Sequence, residues 1–414
     1  MGENNTGSSG RKKVLKATAV IICSIILCII VGAAAYFYVF LSSISGNSRD
    51  INASAVAAGS GQSVNILIAG MDAGIAGTSD GDNTKKADTI FLVNYDTKNK
   101  KANIISIPKD TMIKDKGKRQ KLSASVSYGG ADYLTKNIES LLGVKVNYYV
   151  QVDYEGFINI VDSFGGVDMK INNDMNYDDP NQNLKIHFIK GETVHLDGSK
   201  AEEFFRWERN NDGTGLADGD LGRIKNQHAL LSQVIQKLER KSTFFKAPKI
   251  LSTFSKNIET NMTPAEIIKY AKAMYGLKRE DISISTLKGA EVHIEDENYF
   301  IVNSKQDSIA AFKNMKEVTV NKANLKLQVL NSTAKNGLAK TFAENISKKG
   351  YTLSNITTGN AAKKGLDSKV TIYAAKEEYI PAIKDDLGIN NVEFVPQKSG
   401  KFDIIIVLGN DQAK

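Results

Sequence analysis

Ala17 to Leu41 is a run of 25 residues without a charge, and it sets the first constraint on this chain. A helix of that length crosses the roughly 30 Å hydrocarbon core of a bilayer with some tilt. Arg11, Lys12, Lys13 and Lys16 stand just before it, and basic residues flanking a span stay on the cytoplasmic side. The expectation is a single-pass cell-membrane protein: residues 1–16 form a cytoplasmic tail, 17–41 a transmembrane helix, and everything after Leu41 lies outside the cell. Ala33-Ala34-Ala35 looks like a signal-peptidase site. The apolar run nevertheless continues through Tyr36, Phe37, Val39, Phe40 and Leu41, which favours an uncleaved anchor.

Both cysteines, Cys23 and Cys28, fall inside that run. The exterior part therefore has no disulfide framework, Cys-ligated zinc site or cysteine nucleophile. An outward-facing chain without cysteine suits an organism that does not use disulfides outside the cell, such as many Gram-positive bacteria. The net charge is +8, of which Met1–Lys16 supplies +3, four basic residues against Glu3, leaving +5 elsewhere. That remainder is too diffuse to predict nucleic-acid binding. With 42% hydrophobic and 24% charged residues in 414, the composition excludes collagen-like and wholly disordered chains and allows about two to three domains.

Residues 42–63, rich in Ser, Gly, Ala and Asn, read as a flexible stalk. Val64 to Ala69 is a short apolar run ending at Gly70, as a buried strand would be. Thr89–Asn94 and Ala102–Ile107 flank a polar turn and read as a hairpin. Symmetry about Lys98 would set Thr89 opposite Ile107 and bring Asp88 beside Pro108-Lys109-Asp110. Helical spacing follows at Ala131–Leu142, stopped by Gly143. Tyr148–Val152 reads as a strand, Tyr154–Phe164 as a helix and Val167–Ile171 as a strand. Asp220–Leu238 is the longest helix of this half, with Asp220 placed to cap it. Thr263-Pro264-Ala265-Glu266 is a capping box. Alternating strands and helices imply an α/β layered sheet. A second domain is marked by strands at Leu325–Leu330, Lys369–Ala374 and Phe402–Leu408 and helices at Gly337–Ile346 and Ile380–Leu387. The boundary falls in the polar join near Asn314–Asn324, dividing residues 64–318 from 319–414.

There is no Gly-x-Ser-x-Gly elbow, and His187, His195, His228 and His293 are scattered without metal-ligand spacing; none is given a chemical role. Asn210–Asp220 does not keep the spacing of a calcium loop. Acids and cations at the ends of elements remain. Asp72 follows the first strand, Asp88 precedes the second, and Lys109 and Asp110 follow the third, where sheets of this class bind ligands. Arg223 and Gln227 share one face near a helix N-terminus, which favours anions. Paired carboxylates beside cations suit a divalent ion bridging phosphate oxygens; a solvated charged rim has the same pattern.

Several segments, in order, carry more than pattern: Asn65-Ile-Leu-Ile-Ala-Gly-Met-Asp72, Lys86-Ala-Asp-Thr89, Ser106-Ile-Pro-Lys-Asp-Thr111, Lys121-Leu-Ser-Ala124 before Tyr128-Gly-Gly130, Val161-Asp-Ser-Phe-Gly-Gly-Val167, Leu196-Asp-Gly198, and Gly219-Asp-Leu-Gly-Arg223 with Gln227. Together, over about residues 64 to 240, they resemble the LytR-CpsA-Psr family of cell-wall proteins. Leu325 to Gly409, with Val329-Leu-Asn-Ser332 and Gly337-Leu-Ala339, is similar to the LytR C-terminal domain. The resemblance implies an α-β-α sandwich with a mixed central sheet, followed by a small C-terminal α/β domain. It implies a magnesium-dependent phosphotransferase that moves a glycopolymer from a polyprenyl-pyrophosphate carrier to peptidoglycan. The alternative is a non-catalytic protein that binds wall polymer or lipid pyrophosphate. By motif, Asp72 and Asp88 match the metal-binding acids. Lys86 and Lys109 fall where the family has arginines, and Arg206, Asp220, Arg223 and Gln227 match residues around the phosphates. Lys121 and Arg209 join the candidate substrate-binding cations, and Asp88, Asp220 and Arg223 are the candidates for the chemistry. The family's Arg-x-Arg is here Arg206-Trp207-Glu208, with Arg209 one place late. Lysine keeps the charge but not the two-pronged grip on phosphate, and Glu208 either repels the ligand or points to solvent while Arg209 takes over.

Overall fold

The first apolar run folds as a long strand, Ser63–Asp72 (β1), whose alternate side chains enter two different cores. It pairs antiparallel with Lys86–Asp96 (β2), which turns into Lys101–Ser106 (β3). Tyr148–Asp153 (β6) lies parallel on the other side of β1. Ile258–Thr260 (β11) and Ile282–Thr286 (β12) close the edges, giving the mixed order β11-β6-β1-β2-β3-β12. The computed structural model describes residues 63–72, 85–163, 165–238, 257–275, 277–303, 320–373, 376–397 and 400–413. The expected tail, transmembrane helix and nearly all of the stalk lie outside them. No helix among the described residues is long and apolar enough to cross a membrane.

Helices cover both faces of this sheet. The helix Ser125–Leu142 (α1) sets Leu134, Ile138 and Leu142 against Leu67, Ala69, Leu92 and Ile105. On the opposite face Ile66, Val93, Tyr95 and Tyr148 meet Tyr270 of the helix Pro264–Tyr275, together with Met262 and Leu277. The predicted capping box starts that helix: Thr263 N–H donates to Glu266 Oε2 at 2.8 Å, and Glu266 N–H to Thr263 Oγ1 at 3.3 Å. α1 begins earlier than predicted and breaks at Gly129-Gly130, where Gly130 takes φ 63.

The hairpin register differs from the prediction by one residue. Asp96 pairs with Lys101 and Phe91 with Ser106, so Ile90, not Thr89, faces Ile107. The turn is four residues, Thr97–Lys100, held by Asp96 Oδ1 accepting from the backbone of Lys98 and Asn99. Its midpoint therefore falls between Lys98 and Asn99.

The predicted helices at Tyr154 and Asp220 and the predicted strand at Val167 are present, and shorter elements that the sequence did not signal join them in completing the first half. Met112–Asp115 (β4) and Lys118–Lys121 (β5) form a charged hairpin. The helices Tyr154–Ser163 (α2), Gly198–Arg206 (α3) and Gly219–Leu238 (α4) enclose a third core with the strands Val167–Lys170 (β7), Met175–Asp179 (β8), Leu184–Phe188 (β9) and Thr193–Leu196 (β10). The helix starting at Pro264 is thus α5. Trp207, 1% exposed, anchors the α3–α4 link and donates from Nε1 to Asn210 Oδ1 at 3.0 Å.

The second sheet has seven strands. Gly289–Ile294 (β13) and Glu297–Val302 (β14) form a hairpin, and His293 and Ile294 of β13 pair with Val392–Val395 (β18). Leu327–Asn331 (β15), Ile356–Asn360 (β16), Lys369–Tyr373 (β17) and Ile404–Leu408 (β19) supply the rest, in the order β14-β13-β18-β17-β19-β15-β16. The helices Leu338–Ser347 (α6) and Ile380–Leu387 (α7) pack on it. Ala290, Val292, Ile294 and Ile301 of the hairpin are buried in this C-terminal core, while Phe300 is buried in the first.

Candidate functional site

Between β1 and β2 the ladder is interrupted. Gly70 pairs with Thr89 and Met71 with Ala87, leaving Asp88 as the extra residue of a bulge. A bulge re-aims a side chain at the end of a sheet. Asp88 Oδ1 lies 3.8 Å from Lys109 Nζ, as the hairpin reading anticipated despite its register error. Asp72 is opposite Lys86 in the same ladder, with Lys86 exposed.

Helix α4 approaches this bulge with its first turns. Arg223 donates from one terminal nitrogen to the Asp88 carbonyl at 2.9 Å and grips Asp220 Oδ1 through Nε at 3.0 Å. Asp220 therefore does not cap the helix. It lies within the first turn, with Asp218 C=O accepting from Leu221 N–H at 3.0 Å at the start of the helix. Burial works against the charge on Arg223, but Asp220, with help from Asp88 and Glu208, more than offsets it, so the guanidinium holds its proton more firmly than usual. Asp220 Oδ2 is buried and has no hydrogen-bond partner among the described residues. Gln227, one turn on from Arg223, donates to Thr89 Oγ1 at 3.4 Å and Phe205 C=O at 3.3 Å. Asp88, Thr89, Lys109, Asp220, Arg223 and Gln227 line one small recess, with Ser106 at its wall.

Other candidates do not line that recess. Arg206 ends α3, where it pairs with Glu202 at 2.7 Å and lies 4.2 Å over the Tyr154 ring. Lys121 is engaged by Glu297 at 2.9 Å and Asp110 at 3.4 Å. Burial opposes its charge, and these carboxylates outweigh burial, so its pKa is raised. Arg209 is exposed and bridges backbone-to-backbone with Gly215. Glu208 is half-buried beside the start of α4, and its charge adds to those of Asp220 and Asp88 in favouring the proton on Arg223.

Sequence reasoning missed Tyr154. Its hydroxyl donates to Asp88 Oδ2 at 3.4 Å. Burial and the nearby carboxylates of Asp88 and Asp72 push its pKa well above the phenol range, though Arg206 opposes them. The available signal was position: β6 runs parallel to β1, so Tyr154 leaves the sheet at the same end as Asp72. No group of three or more His, Cys, Asp and Glu arranged for a metal occurs among the described residues.

Residues 37–317 match the LytR_cpsA_psr family model, and residues 324–411 match that of the LytR cell envelope-related transcriptional attenuator. The chain is 31% identical over 264 residues to the polyisoprenyl-teichoic acid–peptidoglycan teichoic acid transferase TagU of Bacillus cereus, covering 61% of this chain and 81% of the relative. TagV of Bacillus subtilis, named as the same kind of transferase, is 28% identical over 220 residues, or 52% of this chain and 55% of the relative. The crystal structure of B. subtilis TagV superposes with a TM-score of 0.49 at 26% identity, over 59% of this chain and 92% of that one. A family model that spans the whole first sheet, the bulge and α4 leaves one conclusion: this chain belongs to the LytR-CpsA-Psr family and carries a LytR C-terminal domain after it.

Proposed function

We propose that this chain moves a teichoic-acid-type glycopolymer from a polyprenyl-pyrophosphate carrier to peptidoglycan, as a magnesium-dependent phosphotransferase anchored in the cell membrane by one N-terminal helix. The observation that carries this reading is the recess lined by Asp88, Lys109, Asp220 and Arg223, in which Asp220 also keeps a buried carboxylate oxygen with no hydrogen-bond partner among the described residues. Such an oxygen is costly unless a ligand or proton completes it. The names of the B. cereus and B. subtilis relatives support the substrate class.

In this reading Lys109 and Arg223 bind the pyrophosphate, with Arg206 held ready by Glu202 and Tyr154. A peptidoglycan hydroxyl attacks the phosphorus next to the glycan, its proton passing to Asp220 Oδ2. The bond from that phosphorus to the bridging oxygen breaks, and polyprenyl phosphate leaves. Asp72 and Asp88 would hold magnesium, which accepts one or two carboxylates and takes its other ligands from water and phosphate. Bound there, the ion offsets charge on the phosphate oxygens.

The test is transfer itself. Purified chain, lipid-pyrophosphate-linked polymer and peptidoglycan should give polymer-bearing glycan fragments by mass spectrometry, and product should vanish on chelation or in Asp88→Ala. Tight polymer binding with no product at saturating magnesium would instead establish the non-catalytic reading.

A further inference from the structure

Ser106 ends β3, is 1% exposed and lines the recess beside Lys109, Arg223 and Gln227. Its Oγ lies 2.7 Å from His228 Nε2, a full-strength hydrogen bond. The other three histidines sit on the outside, against Asp178, Asp168 and Asn298. Burial alone lowers the affinity of the His228 ring for a proton. The ring is therefore neutral near pH 7, with a single N–H.

A hydroxyl gives one proton and accepts at two lone pairs. If Ser106 gave its proton to His228, it would present only lone pairs to the recess, the wrong polarity for an anion between Lys109 and Arg223. If Nε2–H donates to Ser106 Oγ, the serine proton is left to point into the recess. We infer that His228 is a positioning residue: by donating to Ser106 Oγ it turns the serine hydroxyl into a further hydrogen-bond donor for a phosphate oxygen of the bound ligand. This rests on the phosphate-site reading above and adds to it an uncharged donor supplied by β3 and α4 together.

Calorimetry of the full chain in detergent with inorganic pyrophosphate tests the pair. A donor to a charged oxygen is worth about a tenfold or larger change in affinity, so Ser106→Ala and His228→Phe should each weaken binding by about that factor. His228→Gln, which keeps an N–H donor, should stay within about threefold of the parent. Combining Ser106→Ala with His228→Phe should cost no more than either change alone, because both remove the same donor. Parent-like binding by His228→Phe, or Gln no better than Phe, overturns the inference. Because a buried phenyl ring can disturb folding, ¹⁵N NMR of the unsubstituted chain gives a second readout. The His228 ring nitrogens should shift at saturating pyrophosphate and stay still in Ser106→Ala; a ring that does not respond in the unsubstituted chain also overturns it. If Arg223→Ala abolishes binding while the Ser106 and His228 variants bind normally, only this inference falls. If the parent does not bind pyrophosphate, the phosphate-site reading falls and takes the inference with it.

Discussion

Arg223 has two duties that pull a substitution in different directions. It presents charge to the recess, and it compensates Asp220, whose side chain is only 9% exposed. Removing one member of such a pair strands the other, at a cost of about 3–5 kcal/mol, whereas removing both costs less. Arg223→Ala should therefore lower both turnover and melting temperature. The double variant Asp220→Ala/Arg223→Ala should recover part of the melting temperature but none of the activity; an additive loss in thermal melts would show that the pair is not coupled. Arg223→Lys should keep more of both than Arg223→Ala, since it retains the charge without the fork. At this scale, what could be read from the chain was whatever local geometry enforces. Asp88 meets Lys109 because a short hairpin leaves little choice. Ser106 and His228 were not legible as site residues, because they meet only when α4 docks on the sheet, and Tyr154 became legible only once β6 was known to lie parallel to β1.

The bulge at Asp88 is the element on which the site depends. A Cβ on Gly70 would stand 3.1 Å from Thr89 Cβ, so the two strands must part by a few tenths of an ångström to admit it. Gly70→Ala should shift the bulge relative to Lys109 and α4 while leaving the rest of the sheet paired. Misplacement of reacting groups by about 1 Å costs up to about a hundredfold in rate, so this smaller shift should reduce kcat measurably with a nearly unchanged far-ultraviolet spectrum. Unchanged kcat would mean that the bulge does not position the chemistry. Elements with one dominant signal were legible: β1 and β19 from their apolar runs, α5 from its capping box, the end of α1 from Gly143 at φ 63. β4 and β5 were not, because Met-Ile-Lys-Asp and Lys-Arg-Gln-Lys show no apolar face of their own and owe their pairing to what lies across from them. Glu377, 8% exposed, is that neighbour, pairing with Lys114 at 2.5 Å and Arg119 at 2.6 Å. Burial would raise its pKa, but the two cations and their hydrogen bonds hold it below the usual carboxylate value. A depressed folded pKa gives stability that is present above the unfolded value and is lost as pH falls through the folded one. Glu377→Gln should therefore lower the melting temperature at pH 7 and flatten the loss of stability on acidification below about pH 4.5; an unchanged acid slope would assign that loss to other carboxylates.

For the whole molecule, the question is whether the two family-matched halves are separable. The contacts say they are not. β13 and β14 precede the end of the first match at residue 317, yet they are strands of the C-terminal sheet. The same hairpin reaches back toward the recess: Phe300 N–H donates to the Asp110 carbonyl at 2.8 Å, one residue from Lys109, and Glu297 holds Lys121. A chain ending after residue 317 would lose the strand beside β13 and uncover Val292, Ile294 and Ile301, now at most 5% exposed. Full burial of such side chains is worth about 1.5–3 kcal/mol each, so the sum approaches the whole stability of an ordinary domain, about 5–15 kcal/mol. The truncated chain should melt lower, bind a hydrophobic dye and lose transfer activity, and a separately made 320–414 fragment should restore all three when added. A truncated chain that melts and turns over like the parent would show that the C-terminal sheet only borrows the hairpin and that Lys109 is held by the first half alone.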